Sequence, residues 1–268
     1  MGFMIAAVNN LIKSSFKAFN IGIIRYDALQ KLIQAGPIGR KAQNDIEFLT
    51  ALRNQSVSNI IANLDKSRSQ LKQDLFALSE LDFKTNGYFV EVGAANGIDS
   101  SNTYLMEKSF GWAGIVAEPA RCWHQDLRAN RCVNIETDCV WKDSHSSLEF
   151  NEVDSAWYST INAYSDTDSH SEIRKSGKTY NVKSISLNDL LAKYGAPENI
   201  DYLSIDTEGS ELEILSSFDF RKHSFKVITC EHNYTPMRDK IFDLLSGHGY
   251  VRKFEELSKF DDWYVKAH

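Results

Sequence analysis

From residue 69 onward, short apolar runs alternate with segments whose apolar residues recur at helical spacing. Residues 88–92, Tyr-Phe-Val-Glu-Val, are a nearly continuous apolar run closed by Gly93, the pattern of a buried strand. Residues 103–109 predict a helix, 114–118 a strand stopped by Pro119, 121–130 a helix, and 132–136 a third strand. Further on, 201–206 and 226–231 predict strands, each followed by a helix, at 211–217 and 238–246. Residues 250–257 and 262–266 predict a closing antiparallel pair. Residues 140–181 break this rhythm and are expected as an insertion, after which a strand at 183–186 and a helix at 187–194 resume it. Such alternation implies an α/β fold with a mostly parallel sheet, covered on both faces and joined by right-handed crossovers.

Before residue 69 the pattern differs. Ile5, Val8, Ile12, Phe16 and Phe19 lie at spacings of three and four, with Asn9, Asn10, Lys13 and Lys17 on the other side. This stripe suits a membrane surface, the protein core or a second subunit equally. It has neither the cationic start nor the cleavage site of a secretory signal. Residues 45–52 and 57–64 predict further helices, and 36–39, Gly-Pro-Ile-Gly, a break. Charge divides the chain in the same place. Residues 1–68 hold nine Lys+Arg against four Asp+Glu, whereas the remainder holds 21 against 32. The expected organisation is a helical N-terminal extension over 1–66, suited to act as a dimer arm, and one domain over 67–268.

The net charge of −6 opposes a nucleic-acid partner bound through a broad basic surface. No stretch of 18 apolar residues predicts a membrane span. Cys122, Cys132, Cys139 and Cys230 form neither a disulfide framework nor a zinc pattern. A cytoplasmic protein is expected, with peripheral membrane contact through the N-terminal stripe as an added expectation.

In a parallel sheet of this kind, ligands bind at the carboxyl ends of the strands. Five successive strand ends carry a glycine turn or polar groups: Glu91 with the turn Gly93-Ala94-Ala95-Asn96-Gly97; Glu118; Asp138 and Cys139; Asp206-Thr207-Glu208-Gly209; and Glu231-His232-Asn233. An acid in the place of Glu118 accepts hydrogen bonds from the hydroxyls of a ribose. The turn lacks the Gly-x-Gly-x-x-Gly spacing of a dinucleotide site, and Glu91 would face an incoming pyrophosphate. A cationic ligand without phosphate, S-adenosylmethionine, fits better.

These stretches, together with 69–76 (Ser-Gln-Leu-Lys-Gln-Asp-Leu-Phe), 101–103 (Ser-Asn-Thr), 111–114 (Gly-Trp-Ala-Gly) and 230–233 (Cys-Glu-His-Asn), resemble the FkbM family of S-adenosylmethionine-dependent methyltransferases over about three-quarters of the chain. The resemblance implies a Rossmann-like class I methyltransferase sheet and transfer to oxygen. By position, Glu91, Gly93 and Gly97 would hold the amino-acid end of the cofactor, Glu118 the ribose and Asp138 the adenine edge. Gln73 and Asp74 would close over the site, and Ala94, Asn96 and Cys139 complete the expected cofactor contacts. One departure is Ala95, where many members have Asn or Asp.

Methyl transfer to a hydroxyl requires alignment and removal of a proton. Asp206, Glu208 and His232 are the expected catalytic residues, with His232 the expected base. The aromatic and polar insertion, with Trp141, Trp157, Tyr158, Tyr164, Asp166, Asp168 and His170, suits a saccharide or a similarly hydroxylated small-molecule acceptor. Asp206, Glu208 and Glu231 also form a set of hard ligands for a divalent ion such as magnesium, although no metal is required by the expected reaction. Two rival readings are an NAD-dependent oxidoreductase, prompted by Tyr104 and Lys108 in a Tyr-x-x-x-Lys pair, and a non-catalytic interaction module on the same fold.

Overall fold

A computed structural model describes residues 37–52 and 57–267. The amphipathic stripe over residues 5–19 lies outside them. The chain divides into two compact units between Thr50 and Ala51. A helix spans Pro37–Ala51, all but its last residue in the first unit, beginning at a proline whose missing N–H costs a helix start nothing. The Gly-Pro-Ile-Gly break is therefore a helix start from Pro37 onward. The helix Val57–Asn63, assigned from sequence to the extension, groups with the larger unit and buries Ile60. Among the described residues no helix is long and apolar enough to cross a membrane.

Among the described residues the larger unit carries eleven strands: β1 (Tyr88–Val92), β2 (Ala113–Ala117), β3 (Asn134–Glu136), β4 (Cys139–Trp141), β5 (Ser147–Glu152), β6 (Thr160–Ile161), β7 (Lys178–Ser186), β8 (Asn199–Ile205), β9 (Ser224–Glu231), β10 (Tyr250–Lys253) and β11 (Asp261–Lys266). Seven of them form one sheet in the order β10-β11-β9-β8-β1-β2-β3. The pairs from β9 to β3 are parallel, and β11 lies antiparallel to both β9 and β10. The Rossmann-like sheet and its antiparallel end are as the sequence predicts.

Alternation sorts the side chains of β1 between two faces. Val90 and Val92 join a core with Ile115, Leu203, Ile228, Leu190, Ile214 and Ile241. Phe89 and Glu91 face the other way, where the Arg131 guanidinium lies over the Phe89 ring at 5.4 Å. Farther along the sheet, the helix Gln73–Glu80 stacks Phe76 on Trp263 of β11 at 4.7 Å.

The insertion is not irregular. Strands β4, β7, β5 and β6 make a second, four-stranded sheet in that order. Its two longer strands, β5 and β7, are largely polar: β5 reads Ser-Leu-Glu-Phe-Asn-Glu, and only Phe150 and Asn151 within it are buried. That weak signal conceals the sheet from a periodicity reading. The sheet also takes up Cys139, expected just beyond the third strand of the main sheet, as the first residue of β4.

The chain crosses over between β1 and β8, adjacent parallel strands whose continuations leave the sheet in opposite directions. There Gly93 takes φ +88°, and a Cβ on it would stand 1.8 Å from the Asp206 carbonyl oxygen. Only glycine lets the two strand ends approach so closely.

Candidate active site

A cavity of about 550 Å³ opens at this crossover, within the ~300–1,000 Å³ usual for small-ligand sites. Its wall runs through every expected strand end. Gly93, Ala94 and Ala95 follow β1, Glu118 and Pro119 follow β2, and Cys139 and Val140 come from β4. Asp206, Thr207 and Glu208 follow β8, and Glu231 and Asn233 close β9. The second sheet contributes Phe150 and Ile161, and the connection between β5 and β7 contributes Trp157, Tyr158 and His170. Among the described residues, six carboxyl side chains (Glu91, Asp99, Glu118, Asp206, Glu208 and Glu231) line the cavity, and no Lys or Arg does.

Glu118 is buried, and each oxygen of its carboxylate accepts one backbone N–H: Oε2 from Ala95 at 2.8 Å, Oε1 from Ala120 at 2.7 Å. Carboxylate oxygens have further acceptor sites, so both remain able to take a ligand hydroxyl. Ala95 presents its N–H in a left-handed conformation, φ 44°, which Asn and Asp tolerate better than Ala does. Burial, reinforced by the charges of Asp206 and Glu152, pushes Glu118 from 4.5 up to about 7. The stabilisation that Glu118 contributes is therefore complete below about 4.5 and lost as the pH rises through about 7. In scanning calorimetry of the cofactor-free protein, the fall in melting temperature from about pH 5 to about pH 8 should be smaller in Glu118→Gln by a few degrees. Equal falls in parent and variant would remove this assignment.

Across the cavity, Glu208 lies in a left-handed turn at φ 58°. Its Oε2 accepts from Arg174 at 2.7 Å and from Asn233 at 3.3 Å. Burial and the neighbouring Asp206 push it up to about 9. Burial likewise raises Asp206 and, together with the Asp206 and Glu208 charges, raises Glu231 well above a free carboxyl. His170 joins this group from the insertion. Its Nδ1 stands 3.5 Å from Glu208 Oε2 and 3.7 Å from Asp168 Oδ1, and the ring packs on Tyr158 at 4.3 Å.

Several expected residues belong to the scaffold. Glu91 borders the cavity, but its carboxylate is taken up by the protein. It accepts from Ser101 Oγ at 3.0 and 3.1 Å, Asn102 N at 2.6 Å, Thr103 Oγ1 at 2.5 Å and Arg131 NH1 at 3.1 Å. A carboxylate so neutralised does not greet a cation, which corrects that expectation. Ser101, Asn102 and Thr103, part of the stretch that carries the family resemblance, are thus the residues that bind this carboxylate.

Gly97 does not line the cavity. It is glycine, at φ +79°, because a Cβ would stand 2.7 Å from both Arg131 Cγ and Leu127 Cδ1. Asn96 turns away too, its Oδ1 accepting from the N–H groups of Ile98 and Asp99. Asp138 also lies off the cavity wall, because the chain turns there from β3 into β4, and it is the neighbouring Cys139 that reaches the cavity.

Gln73 and Asp74 do not close over the site. Gln73 Nε2 donates to Asp261 Oδ2 at 3.1 Å, and its Oε1 accepts from Leu71 N at 2.9 Å. Asp74, fully buried, accepts from Ser67 Oγ at 2.7 Å and Leu75 N at 2.8 Å. They lock a helix start, and Gln70 is the residue of that stretch on the cavity wall.

The largest correction concerns His232. It is buried, off the cavity, with Nδ1 accepting from Tyr234 N at 2.9 Å and Nε2 facing Asp262 at 3.7 Å. Burial lowers its proton affinity. His170, which lines the cavity beside two carboxylates, is the imidazole in the place expected for His232. The sequence signal for it was present in the polar insertion, but without the second sheet nothing placed it at the strand ends. Of the expected aromatic residues, Trp157 and Tyr158 reach the cavity, with Trp123 beside them at 5.1 Å from Trp157. Trp141 and Tyr164 pack together off the wall. Tyr104 and Lys108 do not line it, and Lys108 pairs with Glu107 at 2.6 Å.

A family model described as the Methyltransferase FkbM domain matches residues 91–252. Among solved structures, the chain is similar to methyltransferase FkbM from Methylobacillus flagellatus KT, at 13% identity and a TM-score of 0.45; the alignment covers 85% of this chain and 59% of that one. It is similar also to precorrin-6y C5,15-methyltransferase from Geobacter metallireducens GS-15, at 13% identity and a TM-score of 0.39, covering 72% of this chain and 85% of that one. Among curated proteins, none matches the chain.

Proposed function

Since the chain belongs to the FkbM methyltransferase family, we propose that it transfers the methyl group of S-adenosylmethionine to a hydroxyl of a saccharide or a similarly hydroxylated metabolite. The observation that carries this reading is the cavity wall: besides Glu91, which Arg131 neutralises, it holds five further carboxyl groups and, among the described residues, no Lys or Arg. A pyrophosphate would be repelled there, whereas a sulfonium and an ammonium would be drawn in. This disfavours the NAD-dependent alternative. A cluster of buried acids is also costly to keep without a task, which disfavours the non-catalytic one.

When bound, S-adenosylmethionine supplies an electrophilic methyl: its carbon–sulfur bond breaks as a carbon–oxygen bond forms, giving S-adenosylhomocysteine, a methyl ether and one proton. Glu118 holds the ribose through the free acceptor sites of its two oxygens. Gly93 and Ala94 let the backbone approach the cofactor closely. His170 takes the hydroxyl proton at Nε2, and its Nδ1 is oriented toward Glu208 at 3.5 Å and Asp168 at 3.7 Å. Trp157 and Tyr158, with the exposed Tyr234, offer flat apolar faces for a sugar ring while the carboxyls accept its hydroxyls.

Calorimetric titration tests the reading. S-adenosylmethionine should bind and NAD should not. Glu118→Ala should weaken cofactor binding by about 2 kcal/mol, roughly 30-fold, as for the loss of a charge-assisted pair. Unchanged affinity would remove the ribose assignment, and NAD binding alone would reverse the choice of cofactor. A labelled-methyl screen against hydroxylated metabolites then identifies the acceptor.

A further inference from the structure

We propose that Asp206, Glu208 and Glu231 bind one hard divalent cation of the magnesium or manganese class on the floor of the cavity. The three side chains come from neighbouring strand ends. Ile205 of β8 pairs with Cys230 of β9, so Asp206 and Glu231, the next residue of each, lie side by side. Glu208 returns to them through its left-handed turn.

One oxygen from each residue lies within 4.8 Å of the others. Ligands of an octahedral ion held at about 2.1 Å are separated by about 3.0 Å when adjacent and about 4.2 Å when opposite, so such an ion needs little rearrangement. The donor set is oxygen throughout, which suits a hard ion and not zinc or copper.

Two further observations point to a missing positive group. Glu231 is 6% exposed, its side chain meets another carboxyl, that of Asp206, and its Oε2 has no hydrogen-bond donor among the described residues. Behind Glu208, the Asp168 side chain is 2% exposed, and its Oδ2 is likewise unpartnered. Buried polar atoms of native proteins are nearly always satisfied, so each such atom requires an explanation. The charge balance agrees. Asp168, Asp206, Glu208 and Glu231 are four neighbouring carboxyl groups with one guanidinium beside them, that of Arg174, which touches only Asp168 and Glu208, each at 2.7 Å. One divalent ion would bring the group near neutrality and occupy the open Glu231 oxygen.

In the reaction proposed above, an ion there would lower the pKa of an acceptor hydroxyl. That role rests on the methyltransferase reading, whereas the binding of the ion does not.

The full chain, treated with EDTA and dialysed free of it, is titrated with manganese chloride while free manganese is followed by electron paramagnetic resonance. One ion per chain is expected at sub-millimolar concentration, with a rise in melting temperature. Asp206→Asn and Glu231→Gln should each weaken binding by at least ~10-fold, given that losing even an outer-shell partner costs about 10–100-fold. Asp219→Asn, a surface change away from the cavity, should leave it unchanged. Absence of bound manganese in the parent chain would overturn the proposal, as would equal binding by parent and both variants. If one variant fails to fold, the other decides.

S-adenosylmethionine is titrated into the same EDTA-treated protein. Cofactor binding without manganese binding removes the ion alone. Manganese binding without cofactor binding removes the methyltransferase reading and leaves the ion in place.

Discussion

Arg131→Met should lower the free energy of unfolding by about 3–5 kcal/mol, the usual result of stripping one partner from a buried ion pair. Arg131 is fully buried. Its guanidinium donates to Glu91 at 3.1 Å, Glu107 at 2.5 Å, Thr103 Oγ1 at 2.8 Å, Ser101 Oγ at 3.2 Å and the Gly97 carbonyl at 3.3 Å. These bonds tie the glycine turn after β1 to the helix that follows it. Methionine keeps much of the apolar stem and removes every donor, so the Glu91 carboxylate would be left buried without a counter-charge. Denaturant titration followed by circular dichroism measures the loss. Adding Glu91→Gln to Arg131→Met should recover part of it, because the stranded charge is then gone. A loss below about 1 kcal/mol in the single variant would mean that Arg131 is no more than a surface-type pair.

His170→Ala should reduce kcat by about 10²–10⁴-fold, the usual contribution of a positioned proton acceptor, with little change in KM. His232→Ala should leave kcat close to that of the parent chain, because that imidazole faces Tyr234 N and Asp262 and not the cavity. The proposed base is thus the histidine of the insertion and not the one that ends β9 in the sequence reading. Labelled-methyl transfer to the identified acceptor reads both variants, with melting temperatures to separate lost catalysis from lost folding. A normal turnover number in His170→Ala would dismiss it as the base, and a collapse confined to His232→Ala would restore the expectation that the structure contradicts.

A single sequence carries the local part of this protein well. The run Tyr-Phe-Val-Glu-Val is β1 to the residue, and Asp206, Glu208 and Glu231 stand on the cavity because each ends or follows a strand of a parallel sheet. Glu118 is legible for the same reason. Strand periodicity and glycine turns are set by neighbours in the chain, and a parallel sheet places its strand ends on one side. The second sheet escapes such reading, because β5 and β7 are polar and gain their pairing from each other across more than twenty residues.

What the chain determined alone is therefore the order of the main sheet's elements, the glycine turn after β1 and the row of acids at the strand ends. Only the tertiary structure decided which of those polar groups face the cavity and which face one another. Glu91 is silenced by Arg131, forty residues away in sequence, and Gln73 by Asp261, 188 residues away. His170 reaches the cavity because a sheet with little hydrophobic signature carries it there. A buried polar side chain is satisfied by whichever partner the packing brings near, and no spacing along the chain records that partner in advance.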